Sequence, residues 1–247
     1  MKNWLNIGVE GSAMWPTEET MVSFGGRELL LRPATRETEQ SIHINLFRIS
    51  DVDALTLANR FLSVLSWCDG QPLRNLYGWS GSPVPISVPK KTRSIGSSIA
   101  FPFYRDIEQD PKALLALALY REGQSIESTP FEFLSYFKIL NVFWKDRFEK
   151  VDGVRINPIV EGIREELPKI RDSQALGRIK ALRSMNEDPA KYLYESGRCA
   201  VAHANCDPIV DPDNVVQLHR LSEDMWIIRA IAERLIEERL GIPRTIY

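Results

Sequence analysis

The chain has 247 residues, 44% hydrophobic and 26% charged, the balance of a folded globular protein, which excludes a disordered or low-complexity one. A formal net charge of −2 excludes long-range attraction of the whole molecule to phosphate, so any nucleic-acid surface must be a local patch. Three cysteines, Cys68, Cys199 and Cys206, exclude a disulfide-dense secreted scaffold. The N-terminus lacks an apolar signal core, and no apolar run approaches the roughly 20 residues of a membrane span, so the expectation is a cytoplasmic protein with no membrane partner.

The first part of the chain has the alternation and turn signals of strands. Residues 4–9 form a plausible first strand. Residues 20–24 and 28–32 flank Gly25-Gly26, a good hairpin turn because glycine takes positive φ without steric cost. Residues 41–47 alternate as a half-buried strand, in which His43 falls on the polar, solvent-facing side. Ser50 or Asp51 then caps a helix reaching about Trp67, with Leu55, Leu57, Ala58, Phe61, Leu62 and Leu65 at helical spacing. Cys68 just beyond it reads as a small buried hydrophobe.

From residue 69 to about 106 glycine, proline and serine dominate, as in short strands and long loops. Lys90, Lys91 and Arg93 precede Phe101, Phe103 and Tyr104. Cations beside aromatics can track a single-stranded backbone and stack its bases. A solvated loop with its aromatics in the core is the competing reading.

After Asp110 the pattern becomes helical. Asp110-Pro111 opens a helix through Tyr120. Thr129, Pro130 and Glu132 form a capping box before an apolar helix to about Lys145. Two amphipathic segments follow, at 160–170 and 175–185. Asp188-Pro189 opens the next helix, which Asn205 and Pro208 close. Asp211-Pro212 opens a last helix over about 213–240, closed by Gly241 and Pro243. The expected fold class is therefore α+β: a β-rich part over residues 1–107, of unknown role, and an all-α bundle over 108–247.

Within the penultimate helix, Arg198 and His203 stand five residues apart. An arginine can hold the charge that develops on a phosphate, and a histidine can move a proton. Together they are the minimum for cutting RNA through its own 2′-hydroxyl without a metal. Residues five apart on an α-helix diverge by about 140°. The two converge only if the helix distorts or ends near His203, or if a second subunit completes the site. Glu195, three residues before Arg198, can pair with it, and Tyr194 offers a hydroxyl. The structural alternative is a solvated Arg198–Glu195 pair and a histidine packed near a helix C-terminus.

Arg198-x4-His203 in a late helix, with a long helix after it, resembles the HEPN superfamily. The resemblance covers roughly residues 108–245. It implies a helical bundle that forms a homodimer, with the motifs of both chains meeting in one composite site. Many members are metal-independent RNA endonucleases of antiphage, CRISPR and toxin–antitoxin systems. By that resemblance Arg198 stabilises phosphate, His203 is the acid–base group, and RNA is the partner. The stretch from Arg198 to Ala204 with Asp207-Pro208 is also similar to HEPN-like methylamine-utilisation MauJ-type proteins. One departure is Cys199, where the superfamily usually has a polar residue. An inactive, RNA-, nucleotide- or protein-binding module is the alternative that this departure favours.

Cys199, His203 and Cys206 fall on one helix stripe, but a structural zinc site wants four ligands, so no metal is expected there. No Walker loop, dinucleotide fingerprint or zincin motif is present, and no cofactor is expected.

Overall fold

A computed structural model describes residues 3–89, 110–151, 153–203 and 209–244. It is α+β, with an antiparallel sheet in the N-terminal part and helices after it. The chain divides into two compact units, Met1–Ser125 with Pro243–Tyr247, and Ile126–Ile242.

In the first unit, β1 (Trp4–Gly11), β2 (Thr20–Phe24), β3 (Arg27–Arg32), β4 (Ser41–Asn45) and β5 (Leu73–Ser82) form one sheet in the order β2-β3-β4-β1-β5. Gly25 and Gly26 make the β2–β3 turn with φ of 55° and 70°, values that favour glycine. Ile7 opposes Ile42, and Ile42 opposes Leu31, so these three share a face, as do Leu5, Ile44 and Leu29. Against the sheet packs α1 (Asp51–Asp69), whose first turn is capped by Ser50 Oγ accepting from Asp53 N–H at 3.1 Å. Phe24 and Phe61 meet edge to face at 5.5 Å. β5 occupies part of the stretch whose composition indicates short strands and long loops. It carries two register shifts against β1, and its glycines, Gly78 and Gly81, mask its strand character.

The sheet corrects the expectation for His43, which is completely buried. Alternation does place it opposite the apolar face, but the segment after β5 returns over that second face. Ile86 N–H donates to Asn6 Oδ1, and Glu39 N–H donates to Val88 C=O. His43 Nδ1 lies 2.8 Å from the same Asn6 Oδ1, and Nε2 lies 2.9 Å from Ser41 Oγ. Both ring nitrogens are satisfied by a neutral imidazole with its proton on Nδ1.

The helix α2 (Pro111–Ser125) packs on α1 and falls in the first unit. The division between units therefore lies later than the change of composition near residue 107. Arg244 belongs to the first unit too, its guanidinium 4.8 Å from the Trp67 ring centroid.

The second unit contains α3 (Thr129–Asn141), α4 (Pro158–Glu166), α5 (Ser173–Ser184), α6 (Pro189–Tyr192), α7 (Ala200–Ala202) and α8 (Val215–Arg234). α3 starts one residue early, with Ser128 at its N-cap, so the Thr129 capping box does not form. It also stops at Asn141 rather than near Lys145. The chain then makes a short hairpin, β6 (Glu149–Val151) with β7 (Val154–Ile156), so this part is not all-α. The hairpin escapes notice because three-residue strands carry almost no periodic signal. Asn157, Asp172 and Asp188 cap α4, α5 and α6 through their side chains. α8 begins after Asn214, whose side chain accepts from Val216 and Gln217 N–H. α8 packs chiefly on α3 and α5. Its buried face is Leu221, Met225, Ile228, Ile231 and Ala232, whereas Val215 and Val216 at its start are exposed.

Burial lowers the pKa of His43 to about 4, with the nearby Arg32 charge adding to the effect. The neutral form is therefore the native one. Its contribution to stability is complete above the unfolded value of about 6.5 and is lost as pH falls towards 4. Denaturant titrations at pH 7 and pH 4.5 should show a wild-type loss exceeding that of His43→Gln by an amount on the order of 2–3 kcal/mol. Equal losses in the two proteins would refute this account of His43.

Candidate functional site

Residues 189–202 run as one helical segment whose middle is not α-helical. Leu193–Cys199 forms a wide π-type turn, in which Ala200 N–H reaches back to Glu195 C=O. α7 then ends at Ala202, and His203 leaves the helix in an extended conformation, φ −133° and ψ 112°. The about 140° divergence of an ideal helix therefore does not apply. Arg198 Nη1 and His203 Nε2 are 3.1 Å apart. A guanidinium only donates, so Nε2 accepts and the imidazole carries its proton on Nδ1 in this arrangement. The sequence brings the two residues near each other; the end of the helix makes them meet.

The partner of Arg198 is not Glu195. Glu195 is exposed and lies 3.8 Å from Lys191. Arg198 Nη2 instead pairs at 2.7 Å with Asp146 Oδ2, from the loop that follows α3. Asp146 Oδ1 accepts a hydrogen bond from Tyr194 at 2.7 Å. Asp146 is 11% exposed and Arg198 24%, so the pair is largely shielded from solvent. Burial, then the hydrogen bond and charge of Asp146, pushes the Tyr194 phenol well above its usual range and keeps it a donor. Tyr194 also stands below the guanidinium, 5.9 Å from ring centroid to Arg198 Cζ. Cys199 Sγ is 3.9 Å from Arg198 Nη1. Sequence reasoning missed Asp146. No spacing rule links positions 146 and 198, and the helix expected to run to about Lys145 ends at Asn141, leaving Asp146 in a loop.

The third histidine, His219 on α8, is 73% exposed and faces Glu223 at 3.8 Å. Lys90, Lys91 and Arg93 lie outside the described residues, as does Cys206. Cys199 and His203 do not continue one helix stripe, because the helix ends between them. Among the described residues no group of three His, Cys, Asp or Glu side chains could hold a metal ion. No helix among them is long and apolar enough to cross a membrane. In the first unit, α1 and α2 border a groove of about 470 Å3 that includes Asn59, Arg60 and Arg121. Among the described residues no histidine, cysteine or carboxylate lines it.

Comparison with known families bears on the unit that holds the Arg198–His203 pair. Residues 116–237 match the family model described as Methylamine utilization protein MauJ. This MauJ-like span runs from within α2 into the residues that follow α8, so it contains Asp146, Tyr194, Arg198 and His203. The description names a utilisation context and no reaction. No curated protein and no solved structure matches the chain.

The geometry assigns different weights to the two acids near Arg198. A double-mutant cycle on Asp146→Ala and Arg198→Ala, read by chemical denaturation, should give a coupling of about 1–2 kcal/mol for the shielded pair. Glu195→Ala should stay within about 0.5 kcal/mol of wild type, as an exposed residue does. A coupling near zero for Asp146, or a larger loss for Glu195, would contradict the arrangement.

Proposed function

We propose that the MauJ-like unit is a HEPN-type, metal-independent RNA endonuclease that works as a homodimer, in a setting such as antiphage defence or a toxin–antitoxin response. The observation that carries this reading is the 3.1 Å approach of Arg198 Nη1 to His203 Nε2 at an exposed helix end. An acid–base group and a phosphate-binding cation are thereby within reach of one phosphodiester. The RNA 2′-oxygen would bond to phosphorus while the P–O5′ bond breaks. The proton lost by the 2′-hydroxyl ends on the leaving O5′, with His203 as carrier. The products are a 2′,3′-cyclic phosphate and a 5′-hydroxyl. Arg198 has five donors, so it can offer some to the phosphate while Asp146 fixes its orientation.

Two observations favour a second reading, a non-catalytic RNA-, nucleotide- or protein-binding module. Asp146 brings a carboxylate against Arg198, and Cys199 supplies no charge or strong hydrogen bond in the slot beside it. Both weaken the pull of the site on phosphate.

Purified protein incubated in EDTA with single-stranded RNA and mixed tRNA separates the two readings. The nuclease reading expects products ending in 2′,3′-cyclic phosphate, and losses of about 10²-fold or more for Arg198→Ala and His203→Ala. Retarded but intact RNA would favour the binding module. Intact, unbound RNA would reject both for these substrates.

A further inference from the structure

The wide turn around Arg198 is held by a residue from another helix. In an α-helix, Ala200 N–H would bond to Ser196 C=O. Here it goes to Glu195 and Gly197 C=O. The Ser196 carbonyl instead accepts Arg220 Nη2 at 2.7 Å. Arg220 sits on α8 and is partly buried. Its guanidinium lies 5.9 Å from the Tyr192 ring centroid, and Nη1 is 3.5 Å from the Tyr192 hydroxyl. That hydroxyl also receives Arg178 Nη2 at 3.4 Å. Arg178 is in turn locked by Asp224 Oδ1 at 2.8 Å, a carboxylate with no exposed surface, and by Glu223 at 3.0 Å.

Gly197 supplies the other half of the device. A Cβ there would stand 2.5 Å from Phe133 Cζ, and the Phe133 ring is fully buried and cannot withdraw. Glycine therefore lets the wide turn lie directly on α3. Widened turns of this kind recur at functional sites, where an inserted residue redirects a side chain. The turn closed by the Ala200–Glu195 bond contains Arg198. The direction of Arg198 towards Asp146 and His203 thus depends on that turn.

We propose that Arg220 is a positioning residue: by donating to the Ser196 carbonyl that Ala200 N–H bypasses, it holds the wide turn that aims Arg198 at His203. Its catalytic consequence rests on the nuclease reading above; its structural consequence does not. The device also links α8 to the site, because any displacement of α8 pulls on the Ser196 carbonyl.

The test uses the full chain with 15N-labelled histidine, in Arg220→Ala, Arg220→Lys and Arg198→Ala variants. The chain has three histidines, so single His substitutions assign the spectrum. In wild type at a pH where imidazole is neutral, His203 should show an unprotonated Nε2 and a protonated Nδ1. Arg198→Ala should move His203 towards the Nε2–H tautomer that free imidazole side chains prefer. Arg220→Ala should reproduce that shift with far-UV circular dichroism unchanged. Arg220→Lys, which keeps a donor, should restore part of the wild-type signature. If RNA cleavage is observed, Arg220→Ala should lower kcat by about tenfold or more with KM less affected. Folded Arg220→Ala with the wild-type tautomer overturns the proposal, whether or not the protein cleaves RNA. Should Arg220→Ala not fold, Arg220→Lys and Arg220→Gln decide by the same signature: an unchanged tautomer in both, with the Gln variant folded, overturns it. Absence of cleavage in wild type, with the tautomer shift present, would reject the nuclease reading and leave the positioning role standing.

Discussion

A helix that widens into a π-type turn over Leu193–Cys199 governs the geometry around Arg198. Ala200 N–H passes over Ser196 C=O to reach Glu195, and the turn widens by a residue. Arg220 donates to the bypassed carbonyl from α8. The absent side chain at Gly197 lets the widened turn approach α3. Two side-chain requirements, a long donor at 220 and none at 197, thus make a local irregularity the stable form.

The unit is rich in shielded carboxylates held by arginines from other elements. Asp224 on α8 is held by Arg178 on α5; burial raises its pKa, while the Arg178 charge works in the opposite direction. Glu166 at the end of α4 is surrounded by Lys169, Arg234 and Arg239. Burial alone would raise the Glu166 pKa, but Lys169 and Arg234 outweigh it and hold it below its usual range. Asp146 plays the same part for Arg198. Such pairs add little net stability, because desolvation cancels much of the attraction, but removing one partner strands a charge. They fix register more than they drive folding. Here they join α4 to the end of α8, α5 to α8, and the loop after α3 to the wide turn.

The local parts of this architecture were legible in the sequence. Ser50 and Asp188 act as the caps their positions announce, and Gly25-Gly26 makes the expected turn. Each depends only on neighbours within a few residues. Arg198 and His203 were legible as a pair for the same reason. The features that escaped are non-local. His43 lies on the polar side of its strand, as alternation requires, yet that side is covered by residues from 86 to 89. Asp146 reaches Arg198 across 52 positions of chain, from a loop that the apolar run of α3 concealed. Glu195 had the better spacing, but a bond between exposed side chains on one helix is weak, and Arg198 turns towards the shielded acid instead. Within its own segment the π-type turn is marked only by Gly197; Arg220 and Phe133 act on it from outside.

The occupancy of Arg198 constrains what the site can do. Its guanidinium touches a carboxylate at 2.7 Å, an imidazole nitrogen at 3.1 Å and an aromatic face. A cation so paired has its field largely cancelled at long range, and the chain as a whole carries net negative charge. Attraction of a polyanion cannot come from this residue alone. What the arrangement preserves is direction: the donors not used by Asp146 remain fixed beside His203. Under the proposed chemistry this suits stabilisation of charge that appears only as the 2′-oxygen attacks, rather than tight binding of the ground-state phosphate. Affinity for RNA would then have to be supplied by other surfaces.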